Sequence, residues 1–216
     1  MKKLGFALMG LLMISSTGAF AQLSFGVKAG LNLSNMTLKT AGEKEDDIKF
    51  KPGLNIGAFG DFELNDMLAV EAGLNVETKG LLMKEEEEFL GNKMKSKATT
   101  NLIYVTVPVD VKLTFGSFYV LAGPYVGVAA TGKVKNKVES NGDTHKETHD
   151  MNLGSGDDDD LKRLDFGLGF GAGYEINDNL GVRAGYDLGL SNLTPKGDKD
   201  NSIKNGSINI SATYKF

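Results

Sequence analysis

Between Asp165 and Ile176 the chain reads DFGLGFGAGYEI, and a period of two runs through the whole stretch. Successive side chains of an extended strand point to opposite faces. Asp165, Gly167, Gly169, Gly171, Gly173 and Glu175 therefore share one face, and Phe166, Leu168, Phe170, Ala172, Tyr174 and Ile176 share the other. In a water-soluble sheet the large residues would enter a core. Here the same period recurs in every other strand-like segment, and no amphipathic helix is available to cover a sheet. A wall that is greasy outside and small or polar inside belongs to a closed barrel in lipid, because closure leaves no unpaired strand edge. The expected fold class is all-β: an eight-stranded antiparallel up-and-down transmembrane β-barrel preceded by a cleavable signal peptide.

The start of the chain fits export. Lys2 and Lys3 precede an apolar run from Leu4 to Ile14, and Ala19-Phe20-Ala21 forms a small-x-small cleavage site before Gln22. Residues 1–21 are read as a signal peptide and 22–216 as the barrel domain. There is no cysteine, which excludes a lipoprotein, a disulfide scaffold and a thiol enzyme together. Without Lys2 and Lys3 the chain keeps 22 basic against 28 acidic side chains, a balance that argues against a nucleic-acid partner. No later segment approaches 18 consecutive apolar residues, so no transmembrane helix is expected.

Eight strands follow from the alternation: Leu23–Leu33, Gly53–Leu64, Leu68–Thr78, Thr100–Phe115, a fifth from Phe118 past Val128, Asp165–Ile176, Leu180–Leu190 and Asn205–Phe216. Tight turns at Asn65-Asp66-Met67, Gly116-Ser117 and Asn177-Asp178-Asn179 alternate with four long polar connections, 34–51, 80–99, 132–161 and 192–204, all read as exposed loops. Barrels of this kind keep short turns in the periplasm and long loops outside, which puts both termini in the periplasm. Pro108 and Pro124 each lack a ladder donor, and counting from the Gly116-Ser117 turn sets them at one level of the wall, where a bulge or a gap is expected. Residues 57–73 and 169–185 match at 8 of 17 positions, among them Asn65/Asn177 and Leu68/Leu180, as a duplicated hairpin or convergence on a common turn would produce.

The segments YVTVPVDVKLTF (Tyr104 to Phe115), FYVLAGPYVGV (Phe118 to Val128), DFGLGFGAGYEI and VRAGYDLGLSNL (Val182 to Leu193), with the terminal aromatic strand, resemble the outer-membrane β-barrel family typified by PorT, abundant in Bacteroidetes. The resemblance implies an eight-stranded outer-membrane barrel, and PorT itself is tied to secretion and maturation of cell-surface proteins.

Candidate chemistry lies inside the wall. Both signs of charge face inward, and in a lumen just wide enough for side chains they are expected to pair. The expected network is Lys28, Glu71, Asp110, Lys112, Asp165, Arg183 and Asp187, with Arg183 at the position that Glu71 holds in the echoed hairpin. A conducting or proton-relay path is the alternative. The two histidines, His145 and His149, stand in DTHKETHD; on a helix they would share a face and, with Asp150 or Asp157 to Asp160, offer metal ligands. That segment has no apolar helical face and lies between Gly142 and Gly154, so a solvated loop without metal is expected. Ser34, Ser191 and Ser207 could serve a lipid-modifying enzyme, but no histidine falls on or beside a predicted strand, and no cofactor is expected. Ile208, Ile210, Ala212, Tyr214 and Phe216 form an alternating apolar C-terminus of the outer-membrane assembly-signal type. The expected function is a non-enzymatic, plugged barrel acting through its outer loops as an envelope or partner-binding protein. Its expected partners are lipid, lipopolysaccharide, the assembly machinery and a surface or periplasmic protein. A monomer is expected. The alternatives are a PorT-like accessory of secretion, and a small pore or lipid-modifying enzyme.

Overall fold

The computed structural model describes residues 23–44, 48–89, 92–140, 143–156 and 158–216; the leader read over 1–21 and Asp157 lie outside them. The strands, in chain order, are β1 (Leu23–Thr40), β2 (Glu43–Lys44), β3 (Ile48–Lys49), β4 (Lys51–Glu63), β5 (Leu68–Lys79), β6 (Leu82–Phe89), β7 (Asn92–Phe115), β8 (Phe118–Ser140), β9 (Asp143–Asp150), β10 (Leu164–Glu175), β11 (Leu180–Gly189) and β12 (Ser202–Lys215). Eight of them, β1, β4, β5, β7, β8, β10, β11 and β12, form a closed antiparallel ring in which each pairs with its neighbours along the chain. The ring closes where β1 meets β12, from Gly26↔Lys215 to Lys39↔Ser202.

The period of two sorts the side chains as expected. Leu31, Leu54 and Ile210 on the outer face are more than 60 % exposed, while Tyr119, Glu71 and Lys112 on the inner face are 2 % exposed. An outer surface this apolar would be costly against water at about 25 cal/mol per Å² and is neutral in hydrocarbon. At the end of the short turns, Phe25, Phe115, Phe118, Tyr174, Tyr214 and Phe216 stand on the outer face. The Phe118 and Tyr174 rings lie 4.8 Å apart and those of Tyr214 and Phe216 5.4 Å apart, part of an aromatic girdle of the interfacial kind.

The echoed hairpins share their turn chemistry. Asn65 Oδ1 accepts hydrogen bonds from the amides of Met67 (2.9 Å) and Leu68 (3.0 Å), and Asn177 Oδ1 from those of Asn179 (3.0 Å) and Leu180 (2.8 Å). The third turn needs Gly116 at φ +62°, where a Cβ would be strained. At the prolines the β7–β8 ladder keeps its register but skips from Pro108↔Tyr125 to Val111↔Ala122, a gap rather than a bulge.

The connections depart from the sequence reading. Residues 80–99 and 132–161 are not simply loops: β6 and β9 flank upward continuations of β7 and β8, forming a sheet that projects from the barrel, with the two-residue β3 paired to the base of β6. β1 runs on to Thr40, and β12 starts at Ser202 inside the stretch read as a loop. The continuations of β7 and β8 have no buried apolar face and so need no apolar period, which is why periodicity missed them, whereas those of β1 and β12 turn Met36, Leu38 and Ile203 toward buried apolar neighbours. The bulge sits elsewhere, between Ile103↔Thr131 and Tyr104↔Ala129, where Ala130 is the extra residue. Above it the side-chain parity of β8 reverses.

The remaining parts of the connections fold over the ring. Met36, Leu81, Leu102, Tyr104, Ala129, Leu153, Leu161 and Leu193 form one buried apolar cluster, against which Leu38, Met83, Met151 and Ile203 pack. Leu153 and Leu161, read as part of a solvated loop, are thus core residues. A short bridge joins them, and Asn152 N donates to Asp160 Oδ2 (2.8 Å) and Gly156 N to Asp159 Oδ2 (2.7 Å). The acidic run therefore includes turn-forming acceptors as well as solvated charge.

Candidate functional site: the barrel lumen

The inner face of β4, β5 and β7 carries a row of acids in direct register, Asp61↔Glu71 and Glu71↔Asp110. Like charges side by side need cations nearby. Lys112 comes from β7 itself, and two come from elsewhere on the wall, Arg183 and Lys215. Arg183 on β11 reaches across the lumen and grips Glu71 with both ends of its guanidinium, Nη1–Oε1 2.5 Å and Nη2–Oε2 2.7 Å, while its Nε donates to the Tyr119 hydroxyl at 3.1 Å. Lys112 lies 2.8 Å from Asp61, 3.9 Å from Glu71 and 4.0 Å from Glu175. Lys215 pairs with Glu175 and stands 3.9 Å from Asp61. Three cations and three carboxylates thus balance at the turn end. Tyr119 also lends its ring to Lys112 at 4.4 Å and to Arg183 at 5.3 Å. It lies where a Cβ on Gly173 would be, which gives the glycine face of β10 a packing reason.

A second cluster lies toward the other end. Lys79, 1 % exposed, sits 3.3 Å from Glu77 and 3.6 Å from Asp165, over the rings of Tyr125 (4.5 Å) and Tyr104 (5.5 Å). Asp165 is fully buried and accepts from Ser191 Oγ (2.6 Å), Asn205 Nδ2 (2.8 Å) and Tyr125 OH (3.3 Å). Directly beyond it begins the apolar cluster.

Between the two lies a polar cavity of about 70 Å³, lined by Lys28, Asp110 and Asp187 together with Asn55, Asn75, Asn209 and Ser211. Asn209 Nδ2 donates to Asp187 at 2.8 Å. Of the seven residues expected to form one network, Glu71, Lys112 and Arg183 meet at the turn end, Asp165 belongs to the other cluster, and Lys28, Asp110 and Asp187 line the cavity between. The sequence-based network left out Asp61, Glu77, Lys79, Glu175 and Lys215, all inward by parity. It also left out Tyr119 and Tyr125, whose alternation inside the wall was the available signal.

The histidines do lie on a strand, against expectation. On β9 His145 and His149 are four residues apart at about 3.4 Å per residue, close to 14 Å, too far to share an ion. His149 Nε2 lies 3.4 Å from Glu147 Oε2. Among the described residues no group of three or more metal-ligating side chains converges. The serines have other partners: Ser34 Oγ donates to Gly80 O (3.1 Å), Ser191 Oγ to Asp165 and Ser207 Oγ to Asn209 Oδ1 (3.3 Å). The five C-terminal residues Ile208, Ile210, Ala212, Tyr214 and Phe216 all stand on the outer face. Phe216 N donates to Phe25 O at 3.0 Å across the ring closure.

A closed ring of eight strands, apolar outside and charged within, defines a transmembrane β-barrel of the outer-membrane type. The chain belongs to the outer membrane protein beta-barrel domain family, whose pattern matches residues 20–194, and this places the protein in the outer membrane. Solved structures similar to it include Ail, the attachment invasion locus protein of Yersinia pestis, at 16 % identity over 89 % of this chain and 98 % of that one, TM-score 0.41. Neisserial surface protein A matches at 13 % over 89 % and 97 %, TM-score 0.42, and OprG of Pseudomonas aeruginosa at 15 % over 89 % and 95 %, TM-score 0.32. No curated protein sequence matches.

Proposed function

We propose that the protein is a non-enzymatic outer-membrane barrel with a plugged lumen, which acts through the surface it presents outside the cell as an envelope or partner-binding protein. The observation that carries this reading is the stack of side chains across the lumen: a charge-balanced cluster, a cavity of about 70 Å³, a second charged cluster and an apolar cap. A hydrated ion would have to displace paired buried charges at two levels. In this reading the leader is cleaved after Ala21, both termini are periplasmic, and the projecting sheet is extracellular. The apolar C-terminus is what the assembly machinery reads. The barrel is a monomer, since its ring is complete without a second copy. In planar bilayers the purified protein should give no stable, large-conductance channel, and a steady current would overturn the plug. Glu147→Cys, in a chain without native cysteine, should react on intact cells with a membrane-impermeant maleimide. Labelling only after lysis would reverse the orientation.

A second reading, accessory to secretion of surface proteins, is favoured by the PorT-like segments and by β9, a fully exposed edge strand open to a partner strand. Surface proteomics of a deletion strain separates the two readings, because only the second expects exported proteins to be lost.

A further inference from the structure

The bulge at Ala130 changes what the projecting sheet presents. Below it the outward residues of β8 are even-numbered, ending at Val128 and Ala130; above it Gly132 is buried and Thr131, Lys133, Lys135 and Lys137 turn outward. They face the odd-numbered residues of β7, Lys137 opposite Lys97, and these continue the lipid-facing set of Ile103, Val105 and Val107. Across four adjacent strands Lys84, Lys97, Lys137 and Lys146 fall in one register row. Neighbouring strands lie about 5 Å apart, so each lysine directly opposes another.

Such a row is unfavourable for folding, because like charges directly opposite destabilise a sheet. Among the described side chains an acid in register is found one row further out, where Lys95 stands opposite Glu139. Toward the barrel the rows are Thr99–Lys135–Thr148 and Asn101–Lys133–Asp150, with Lys133 3.2 Å from Asp150. Lys49 of β3 joins the Thr99 row opposite Leu82, so among the described residues the three rows nearest the membrane hold seven lysines, Lys49, Lys84, Lys97, Lys133, Lys135, Lys137 and Lys146, against Asp150. Glu139, hydrogen-bonded by Lys137 and close to Lys95 and Lys146, has its carboxyl held below the usual carboxylate range, a mark of the positive potential there.

Height fixes what this surface meets. From Ile103, the last apolar outward residue of β7, the rows at Asn101, Thr99 and Lys97 lie about 7, 14 and 20 Å along the strand, or about 5, 10 and 14 Å in height at a tilt near 45°. That is the headgroup layer and the zone just above it, and the basic face is continuous with the lipid-facing wall.

We propose that the outer face of the projecting sheet binds the phosphorylated headgroups of the outer-leaflet glycolipid, with the row Lys84, Lys97, Lys137 and Lys146 as its centre. The inference rests on the extracellular placement of the sheet argued above. Lysines suit this task as mobile point charges that each add to attraction by an anionic lipid surface.

The test uses the full barrel in zwitterionic detergent micelles, where both ends are accessible. A failure of binding there counts against the lysine surface, and a failure of maleimide labelling on cells counts against the orientation. The probes are bisphosphorylated lipid A, its dephosphorylated form, and soluble dextran sulfate. The wild type should prefer the bisphosphorylated lipid, with an affinity that falls as salt rises. Lys97→Gln/Lys137→Gln/Lys146→Gln should weaken that binding about tenfold or more, while the same three positions changed to Arg should keep it within about twofold. Unchanged heat-shifted gel mobility in each variant keeps folding out of the comparison. The proposal is overturned by equal binding of the Gln variant and the wild type, or by equal binding of the two lipid forms. Tighter binding of dextran sulfate than of lipid would overturn the membrane source.

Discussion

Removing Arg183 tests whether the lumen is desolvated. Arg183 is 8 % and Glu71 2 % exposed, and two charge-assisted hydrogen bonds of 2.5 and 2.7 Å join them. Breaking one partner of a buried pair costs about 3–5 kcal/mol, because the other charge is left alone. Here Glu71 would keep Lys112 at 3.9 Å, but Lys112 already serves Asp61 at 2.8 Å, so relief is partial. We expect Arg183→Ala to lower the unfolding free energy by about 3 kcal/mol. Glu71→Ala leaves the guanidinium with the Tyr119 hydroxyl and the rings of Tyr119 and Phe59 but without the carboxylate that neutralised it, and a similar loss is expected. The double variant removes both charges and should lose clearly less than the sum, with a coupling of about 2 kcal/mol. With no tryptophan in the chain, reversible urea unfolding in phospholipid vesicles is followed by gel mobility and tyrosine circular dichroism. Additive losses, or single losses below about 1 kcal/mol, would mean that water reaches the pair and would refute the reasoning.

Leu193 is fully buried in the apolar cap, so Leu193→Ala should cost about 2–5 kcal/mol in the same assay. A cost below about 0.5 kcal/mol would mean that the cap is not packed. Deleting Phe216 removes the amide that donates to Phe25 O and the outward aromatic just after β12, and should lower the heat-modifiable fraction in outer-membrane preparations. Normal levels would contradict an assembly role. Asp198 accepts from the amides of Asn201 (2.8 Å) and Asp200 (2.9 Å), which hold its carboxyl below the usual range. A depressed carboxylate gives order that is complete above the unfolded value near 3.9 and lost as pH falls through the folded one. Protection of the Asp200 and Asn201 amides from hydrogen exchange, relative to the intrinsic rate at each pH, should therefore be retained at pH 5 and lost only well below pH 4. An onset above pH 5 would count against this loop geometry.

How much of this was legible depends on which solvent each residue faces. Within the membrane the two faces of a strand meet lipid and lumen, so alternation is imposed and DFGLGFGAGYEI could be read directly. In the continuation of β7 above the membrane no apolar face is buried, and KMKSKATT carries no apolar period. TGKVKNKVES does alternate, with Lys133, Lys135 and Lys137 against Val134, Asn136 and Val138, but the alternation is of charge rather than of grease. Its phase relative to Val126 and Val128 depends on one extra residue, Ala130, whose neighbours carry no bulge signature. Leu153, Leu161 and Leu193 were illegible for a third reason: each is a single apolar residue among polar ones, and only the ring beneath gives it a core to enter.

The meeting of Glu71 and Arg183 shows what a repeat can and cannot reveal. The two hairpins share their Asn-capped turns, so equivalent residues stand equally far above equivalent turns. That sets the level of both side chains without any knowledge of the ring. Azimuth is set differently, by the three strands that separate β5 from β11 on either side of the ring, and nothing local encodes it. At one level in so narrow a barrel, however, a long side chain from one wall reaches the other, and level alone nearly determines who can meet. The glycines at 26, 171 and 173 of the inner wall leave space to Phe59, Leu121 and Tyr119, and the rings of Phe59 and Tyr119 in turn flank the Arg183 guanidinium. A face of glycines here is therefore the complement of the large side chains that the neighbouring strand puts into the lumen.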